Sequence, residues 1–181
     1  MANNCLIGIL YRFSGLIEVA RELEKLKDDN IKLLILGKED LWDDLQNMRG
    51  KNGLDKKIIM GGWKPYEEIP KYLAASDICI LPAHKNEIMM NIVPIKMYEY
   101  MAAGKPVIAT KLPVVMKEFG TGNGVVYVDD AEDVMHKAIE LSENGSMAEI
   151  GVKARQCVLS NDWNTITDTF EKSLGEVICV R

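Results

Sequence analysis

The sequence is poor in the residues that build metal and redox centres: its 181 residues include two histidines and four cysteines, and aromatics make up 7%. Cys5, Cys79, Cys157 and Cys179 lie far apart, no two of them form a Cys-x-x-Cys pair, and no histidine stands at ligand spacing from them. No metal site is expected, and the thiols read as free cysteines of a reducing, cytoplasmic compartment. Basic residues do not run together. With 22 Lys and Arg against 27 Asp and Glu, the net charge is -5, which leaves no electrostatic footprint for nucleic acid. No apolar run approaches the roughly 20 residues of a membrane span. The opening stretch MANNCLIGILYRF has neither a basic leader nor a small-residue cleavage site, so its apolar part reads as a buried strand.

At this length, with 48% hydrophobic and 27% charged residues, the whole chain (1–181) is expected to form a single domain with one core. Short apolar runs alternate with longer amphipathic stretches, the pattern of a parallel sheet covered by helices. Strands are predicted at CLIGILY (5–11), IKLLILG (31–37), KKIIMGG (56–62), DICILP (77–82), PVIAT (106–110) and GVVYV (124–128). A first helix places Leu16, Val19, Ala20, Leu23 and Leu26 on one face, with Ser14 as its predicted N-cap. Further helices are predicted from about Asp40 to Arg49, from Pro65 through PYEEIPKYLAAS, and from near Pro94 to the Gly104-Lys105-Pro106 stop. Three closing helices follow, broken at Asn144-Gly145 and around Ser160 to Asp162. The fold class is therefore α/β, a doubly wound parallel sheet of six strands with C-terminal helices.

In such sheets ligands sit beyond the carboxyl ends of the strands. The loop after the fourth strand leads into the helix of MYEYMAAGKPVIAT, and a helix start offers unpaired N–H groups to a phosphate. Glu99 lies five residues in from Pro94, where its carboxylate could accept from both hydroxyls of a ribose on that phosphate. The bland alternative is an ion pair with a nearby lysine on a helix surface. Other motifs are weaker. GTGNG (120–124) precedes a strand instead of joining a strand to a helix, so it reads as a turn and fails as a dinucleotide fingerprint. Lys111 after the fifth strand is similar to the lysine of receiver domains, but no aspartate follows the third strand, where Gly61-Gly62 stand. His84 reads as a solvated loop residue.

PIKMYEYMAAGKPVIAT resembles the nucleotide-binding helix and strand of retaining GT-B glycosyltransferases, the group 1 or family four enzymes. GGWKPYEEIPKYLAASDICILP and DWNTITDTF are similar to further segments of that family, in the same order, so that the resemblance runs from about Cys5 to Phe170. It implies the C-terminal, donor-binding half of such an enzyme, with no cofactor and with a nucleoside-diphosphate sugar of the UDP, GDP or ADP type as partner. It assigns Glu99 to the ribose hydroxyls. Asn91 stands where the family's first glutamate would be, and with Ile92, Val93 and Ile95 it would shape the loop around the diphosphate and sugar. Lys96 would add charge near the phosphates, and Arg12 would contact the diphosphate, while Ser14 and Gly15 replace the loop's usual basic partner. Gly37 would allow close approach of the donor, and Trp63, with Pro65, would border the base.

The resemblance also implies a second, acceptor-binding domain that these residues do not include. Without it the chain is expected to bind a nucleotide but not to transfer sugar; a full-length protein could be membrane-peripheral. Two alternatives are a non-catalytic interaction module on the same fold and another GT-B enzyme such as a sugar-nucleotide epimerase.

Overall fold

The six apolar runs form strands in the computed structural model, which describes residues 4–11, 13–27, 30–38, 40–51 and 53–179. They are β1 (Asn4–Ile9), β2 (Ile31–Leu36), β3 (Ile58–Gly62), β4 (Ile78–Leu81), β5 (Val107–Thr110) and β6 (Val125–Val128). All pair in parallel, in the order β3-β2-β1-β4-β5-β6. Every residue of β4 and β5 is buried, as unbroken apolar runs require of strands covered on both faces. The strand order reverses between β1 and β4, where Leu6 pairs with Ile78 and Ile7 with Cys79. That switch point is the crevice in which an open α/β sheet places its ligand.

Among the described residues eight helices connect and finish the strands: α1 (Leu16–Lys25), α2 (Trp42–Lys51), α3 (Ile69–Ala75), α4 (Lys96–Ala102), α5 (Pro113–Phe119), α6 (Asp133–Glu143), α7 (Met147–Val158) and α8 (Trp163–Cys179). On one face of the sheet α1, α2 and α6 bury Leu16, Val19, Leu23, Leu45, Val134 and Leu141. On the other α3, α4, α5 and α7 bury Leu73, Tyr100, Met101, Phe119 and Ala154. Each such large side chain contributes roughly 1.5–3 kcal/mol on leaving water. Helix α8 joins neither layer, and residues 163–177 are all exposed.

Several boundaries differ from the sequence reading for local reasons. Ser14 does not cap α1: Gly15 holds the N-cap position, and no side chain caps the helix. Ser14 instead pairs with Ala83 in an isolated antiparallel bridge, and its buried hydroxyl has no hydrogen-bond partner among the described residues. The stretch after Pro65 is a 3-10 turn (Tyr66–Glu68) before α3, and another 3-10 turn (Met89–Asn91) precedes α4. Helix α4 accordingly starts at Lys96, two residues later than Pro94 suggests, and ends at Ala102, just before the expected stop at Gly104, whose φ is +69°. Helix α5 has no counterpart in the sequence reading. Its Val114-Val115 pair favours strand, and the signals for helix are Pro113 in the first turn and the inward spacing of Val115 and Phe119.

Candidate functional site

Two loops meet at the switch point, one after β1 and one after β4, and backbone bonds join them directly. The Gly15 N–H donates to the Pro82 carbonyl at 2.5 Å, and that of His84 to the Phe13 carbonyl at 3.1 Å. The Tyr11 hydroxyl also donates to the Pro82 carbonyl, at 3.3 Å, and burial pushes that phenol well above its ordinary range. Arg12 falls outside the described residues. The floor of the crevice is Tyr100, fully buried, whose hydroxyl accepts from the Ile9 N–H at 3.3 Å.

Lys96, on the first turn of α4, reaches across this floor. Its Nζ lies 3.3 Å from the Ile9 carbonyl oxygen and 3.6 Å from the centre of the Tyr11 ring. A carbonyl dipole and a π face both hold an ammonium group, so the cation is fixed at the carboxyl end of β1 instead of trailing into solvent. The loop between β4 and α4 is more open. Asn91 is exposed and its Nδ2 donates to the Glu87 carbonyl at 2.8 Å; Ile92 is extended and exposed, Val93 packs on the core, and Ile95 is 67% exposed. The start of α4 is partly satisfied by short-range bonds, Met97 N–H to Pro94 and Tyr98 N–H to Ile95.

Glu99 is half-buried and points into the space between α3 and α4. Among the described residues no lysine or arginine forms an ion pair with it, so the surface-pair alternative has no partner there. A cavity of about 430 Å³ is lined by Tyr66, Ile69, Pro70, Leu73, Glu99 and Ala102. A second, of about 300 Å³, continues past Glu99 to Ile95, Tyr98, Trp163 and Ile166. The nearby Glu99 carboxylate charge raises the Tyr66 phenol above its usual range. Tyr66 was not singled out by sequence reasoning, because an aromatic in a turn carries no motif.

Gly37 and Trp63 border the neighbouring strands. Gly37 has φ +101°, and a Cβ there would meet the Leu10 side chain at 3.2 Å and the Leu10 carbonyl oxygen at 3.4 Å. Its N–H donates to the Gly62 carbonyl at 2.8 Å, which ties the ends of β2 and β3 together. Trp63 follows at once and is 72% exposed. The structure thus brings Lys96 and Glu99 together on α4, with Asn91, Ile92, Val93 and Ile95 on the loop before it. Gly37 and Trp63 stand farther along the same edge of the sheet.

The polar groups on the other side of the switch point form a separate cluster. His84 Nε2 lies 3.3 Å from Glu18, Lys85 Nζ 3.4 Å from Asp130, and Lys111 Nζ 2.8 Å from Asp129. The bond from Lys111 holds the Asp129 carboxyl below its ordinary range. These pairs explain His84 and Lys111 without a ligand. No described helix is long and apolar enough to cross a membrane.

Comparison with known proteins then places the chain. It is 24% identical over 181 residues to an uncharacterized glycosyltransferase of Methanocaldococcus jannaschii, covering 96% of this chain and 45% of that one. The amylovoran biosynthesis glycosyltransferase AmsK of Erwinia amylovora is 32% identical over 96 residues, 52% of this chain and 23% of AmsK. Among solved structures, Anabaena HepE in complex with UDP superposes with a TM-score of 0.80 at 20% identity, over 96% of this chain and 49% of that chain. The chain spans less than half the length of the curated relatives it matches. Residues 10–156 match the family model described as glycosyl transferases group 1, and the chain belongs to that family.

Proposed function

We propose that this chain is the donor-binding half of a glycosyltransferase that moves a glycosyl group from a nucleoside-diphosphate sugar to an acceptor. The observation that carries the reading is Glu99: a half-buried carboxylate with no ion-pair partner among the described residues, facing a cavity beside the crevice of a group 1 fold. HepE, which shares this fold, was solved with UDP and with UDP-glucose. In this reading the two ribose hydroxyls donate to Glu99, each charge-assisted bond contributing roughly 1.5–3 kcal/mol. The ring of the base lies toward Trp63, and Gly37 leaves room for it.

As the glycosyl bond breaks, negative charge accumulates on the departing diphosphate, and a fixed cation is worth most there because it need not reorganise. Lys96 is held at the carboxyl end of β1 by the Ile9 carbonyl and the Tyr11 ring, and it takes the place of the lysine that the loop after β1 lacks. Arg12 supplies the second positive charge. Asn91, with Ile92, Val93 and Ile95, forms the loop around the sugar and diphosphate, an amide replacing the carboxylate usual in the family.

Transfer also needs an acceptor site, which we assign to a second domain of similar size. Helix α8 suits such a contact: Trp163, Ile166, Phe170, Leu174 and Val177 form an exposed apolar stripe, and the relatives are more than twice as long as this chain. Alone, these 181 residues are expected to bind nucleotide in the cytoplasm and not to turn over. Calorimetry with UDP, GDP and ADP tests the reading. One of them should bind, and Glu99→Ala should weaken it about tenfold or more. No heat with any of the three at millimolar concentration, with the fold intact, would instead favour a non-catalytic interaction module.

A further inference from the structure

Two groups that touch the Lys96 ammonium carry no formal charge: the Ile9 carbonyl oxygen at 3.3 Å and the Tyr11 ring, whose centre is 3.6 Å away. The ring is itself held from both sides of the switch point. On the β1 side the Leu10 N–H donates to the Leu36 carbonyl at 2.7 Å and the Ser14 N–H to the Tyr11 carbonyl at 3.0 Å, which fixes the backbone before and after the side chain. On the β4 side the Tyr11 hydroxyl donates to the Pro82 carbonyl at 3.3 Å, and the same carbonyl accepts from the Gly15 N–H. The loop after β1 thus carries a fixed aromatic face to a lysine on the first turn of α4.

A lysine carries its charge on a flexible four-carbon stem, and a ligand that needs the charge at one point bears the cost of ordering that stem. Fixing the lysine beforehand removes the cost, and the means of fixing decides what becomes of the charge. Lys111 is fixed by the Asp129 carboxylate at 2.8 Å, which neutralises it. A carbonyl dipole and the negative face of a ring also attract an ammonium, but neither neutralises it, so its charge still acts on an approaching anion.

We propose that Tyr11 is a positioning residue for the diphosphate: its ring holds the Lys96 ammonium at the carboxyl end of β1 without neutralising it, and so sets the preference of the site for a nucleoside diphosphate over the monophosphate. This rests on the assignment of Lys96 to the diphosphate under the proposed function. It is separable from that assignment, because Lys96 is the group that meets the phosphates and Tyr11 acts only through Lys96. Lys96 lies about one turn before Glu99 on α4, nearer the helix start. With the ribose on Glu99 the phosphates extend toward that end, and the outer one gains most from a charge fixed there.

The test is calorimetry of the full chain with UDP, GDP and ADP and with UMP, GMP and AMP, following the pair that binds through Lys96→Met, Tyr11→Leu, Tyr11→Phe and the double variant of Tyr11→Leu with Lys96→Met. Wild type should prefer the diphosphate by about tenfold or more, and Lys96→Met should remove most of that preference. Tyr11→Leu should weaken the diphosphate about fivefold and leave the monophosphate unchanged. Tyr11→Phe keeps the ring and loses only the bond to Pro82, so it should stay within about twofold of wild type. In the double variant the leucine should add nothing to the loss from Lys96→Met, because a residue that acts through Lys96 has nothing left to act on. Phenylalanines with one, two and three ring fluorines at position 11 keep the shape and weaken the negative face, so diphosphate affinity should fall stepwise; this series decides the matter if Tyr11→Leu does not fold. The positioning role is overturned, with the Lys96 assignment left standing, by any of four results: a Tyr11→Leu loss that is absent or equal for both nucleotides, a Tyr11→Phe loss as large as that of the leucine, additive losses in the double variant, or a flat fluorine series. If wild type has no preference, or Lys96→Met keeps it, the Lys96 assignment fails and the Tyr11 role with it. If none of the six nucleotides binds, the donor-binding reading fails as well.

Discussion

Helices α7 and α8 follow one another, and both are amphipathic, yet one is built into the molecule and the other stands off it. Helix α7 turns Gly151, Ala154 and Val158 inward and packs on α4, the helix that carries Glu99. Helix α8 turns Trp163, Ile166, Phe170, Leu174 and Val177 to one side, and all five are exposed, Val177 by 71%. The residues differ in size more than in polarity. Small inward residues let two backbones touch, whereas a stripe of large ones needs pockets to enter, and at its first turn α8 borders one, where Trp163 and Ile166 line the cavity beside Glu99. An apolar stripe says that a face needs cover; the size of its residues says what kind.

The glycine of each helix breaks this comparison most sharply. A Cβ on Gly151 would overlap the Gly104 carbonyl oxygen, far inside van der Waals contact, whereas among the described residues nothing lies within 4 Å of a Cβ on Gly175. Gly151→Ala is expected to lower stability by about 3 kcal/mol in a urea titration, since backbone cannot move aside as a side chain can. Gly175→Ala should leave that midpoint in place and raise helicity, because alanine is the better helix former by about 1 kcal/mol at an exposed interior position. Equal effects would mean that the two helices are packed alike.

The contrast also marks what could be read from sequence. All six strands and the breaks at Asn144-Gly145 and Ser160–Asp162 were legible, because continuous apolar runs closed by turn residues leave few alternatives. The helix within MYEYMAAGKPVIAT and the place of Glu99 on it were legible too, through the Gly104-Lys105-Pro106 stop and the distance from Pro94. Helix α5 was hidden by its two valines, and Ser14 was misjudged because the Ala83 bridge that claims its backbone is a long-range contact. Tyr66 and the seat of Lys96 on the Tyr11 ring were not legible for the same reason: each depends on which loops the strand order brings together.

A smaller effect sharpens the same comparison. Val158 is buried at the end of α7 and Leu174 is exposed on α8. Val158→Ala should cost about 2 kcal/mol, transfer and cavity together. Leu174→Ala should stay within about 0.5 kcal/mol in this chain, although it removes more hydrocarbon. Thermal or urea unfolding of the two variants checks the order. A large loss from Leu174→Ala would show that α8 is already covered in solution, by a second copy or by folding back.

The smallest expected effect concerns how α8 begins while its side chains stay largely exposed. Asp162 caps it: the Thr165 N–H donates to Asp162 Oδ1 at 2.9 Å, the Thr165 hydroxyl donates to Oδ2 at 3.0 Å, and the Ile166 N–H donates to the Asp162 carbonyl at 3.0 Å. These bonds, with the Thr165 N–H first, hold the carboxyl below its ordinary value. A depressed carboxyl stabilises the fold above its unfolded-state value near 4, and the contribution disappears as pH falls through the lower folded-state value. Between pH 5 and 9 the cap should therefore be constant, and below about pH 4 the first turn of α8 should fray. Asp162→Asn keeps an acceptor for the Thr165 N–H but cannot titrate, so it should hold the turn at neutral pH and remove the acid dependence. Hydrogen exchange at the Thr165 amide measures this directly: protection that falls with acid in wild type and stays level in the asparagine variant is the expected result. In α7, whose first turn is anchored by packing, the same acid step should change little even though Glu149 on that helix is also held low by Lys153, because there the tertiary contacts and not the local charge keep the helix in place.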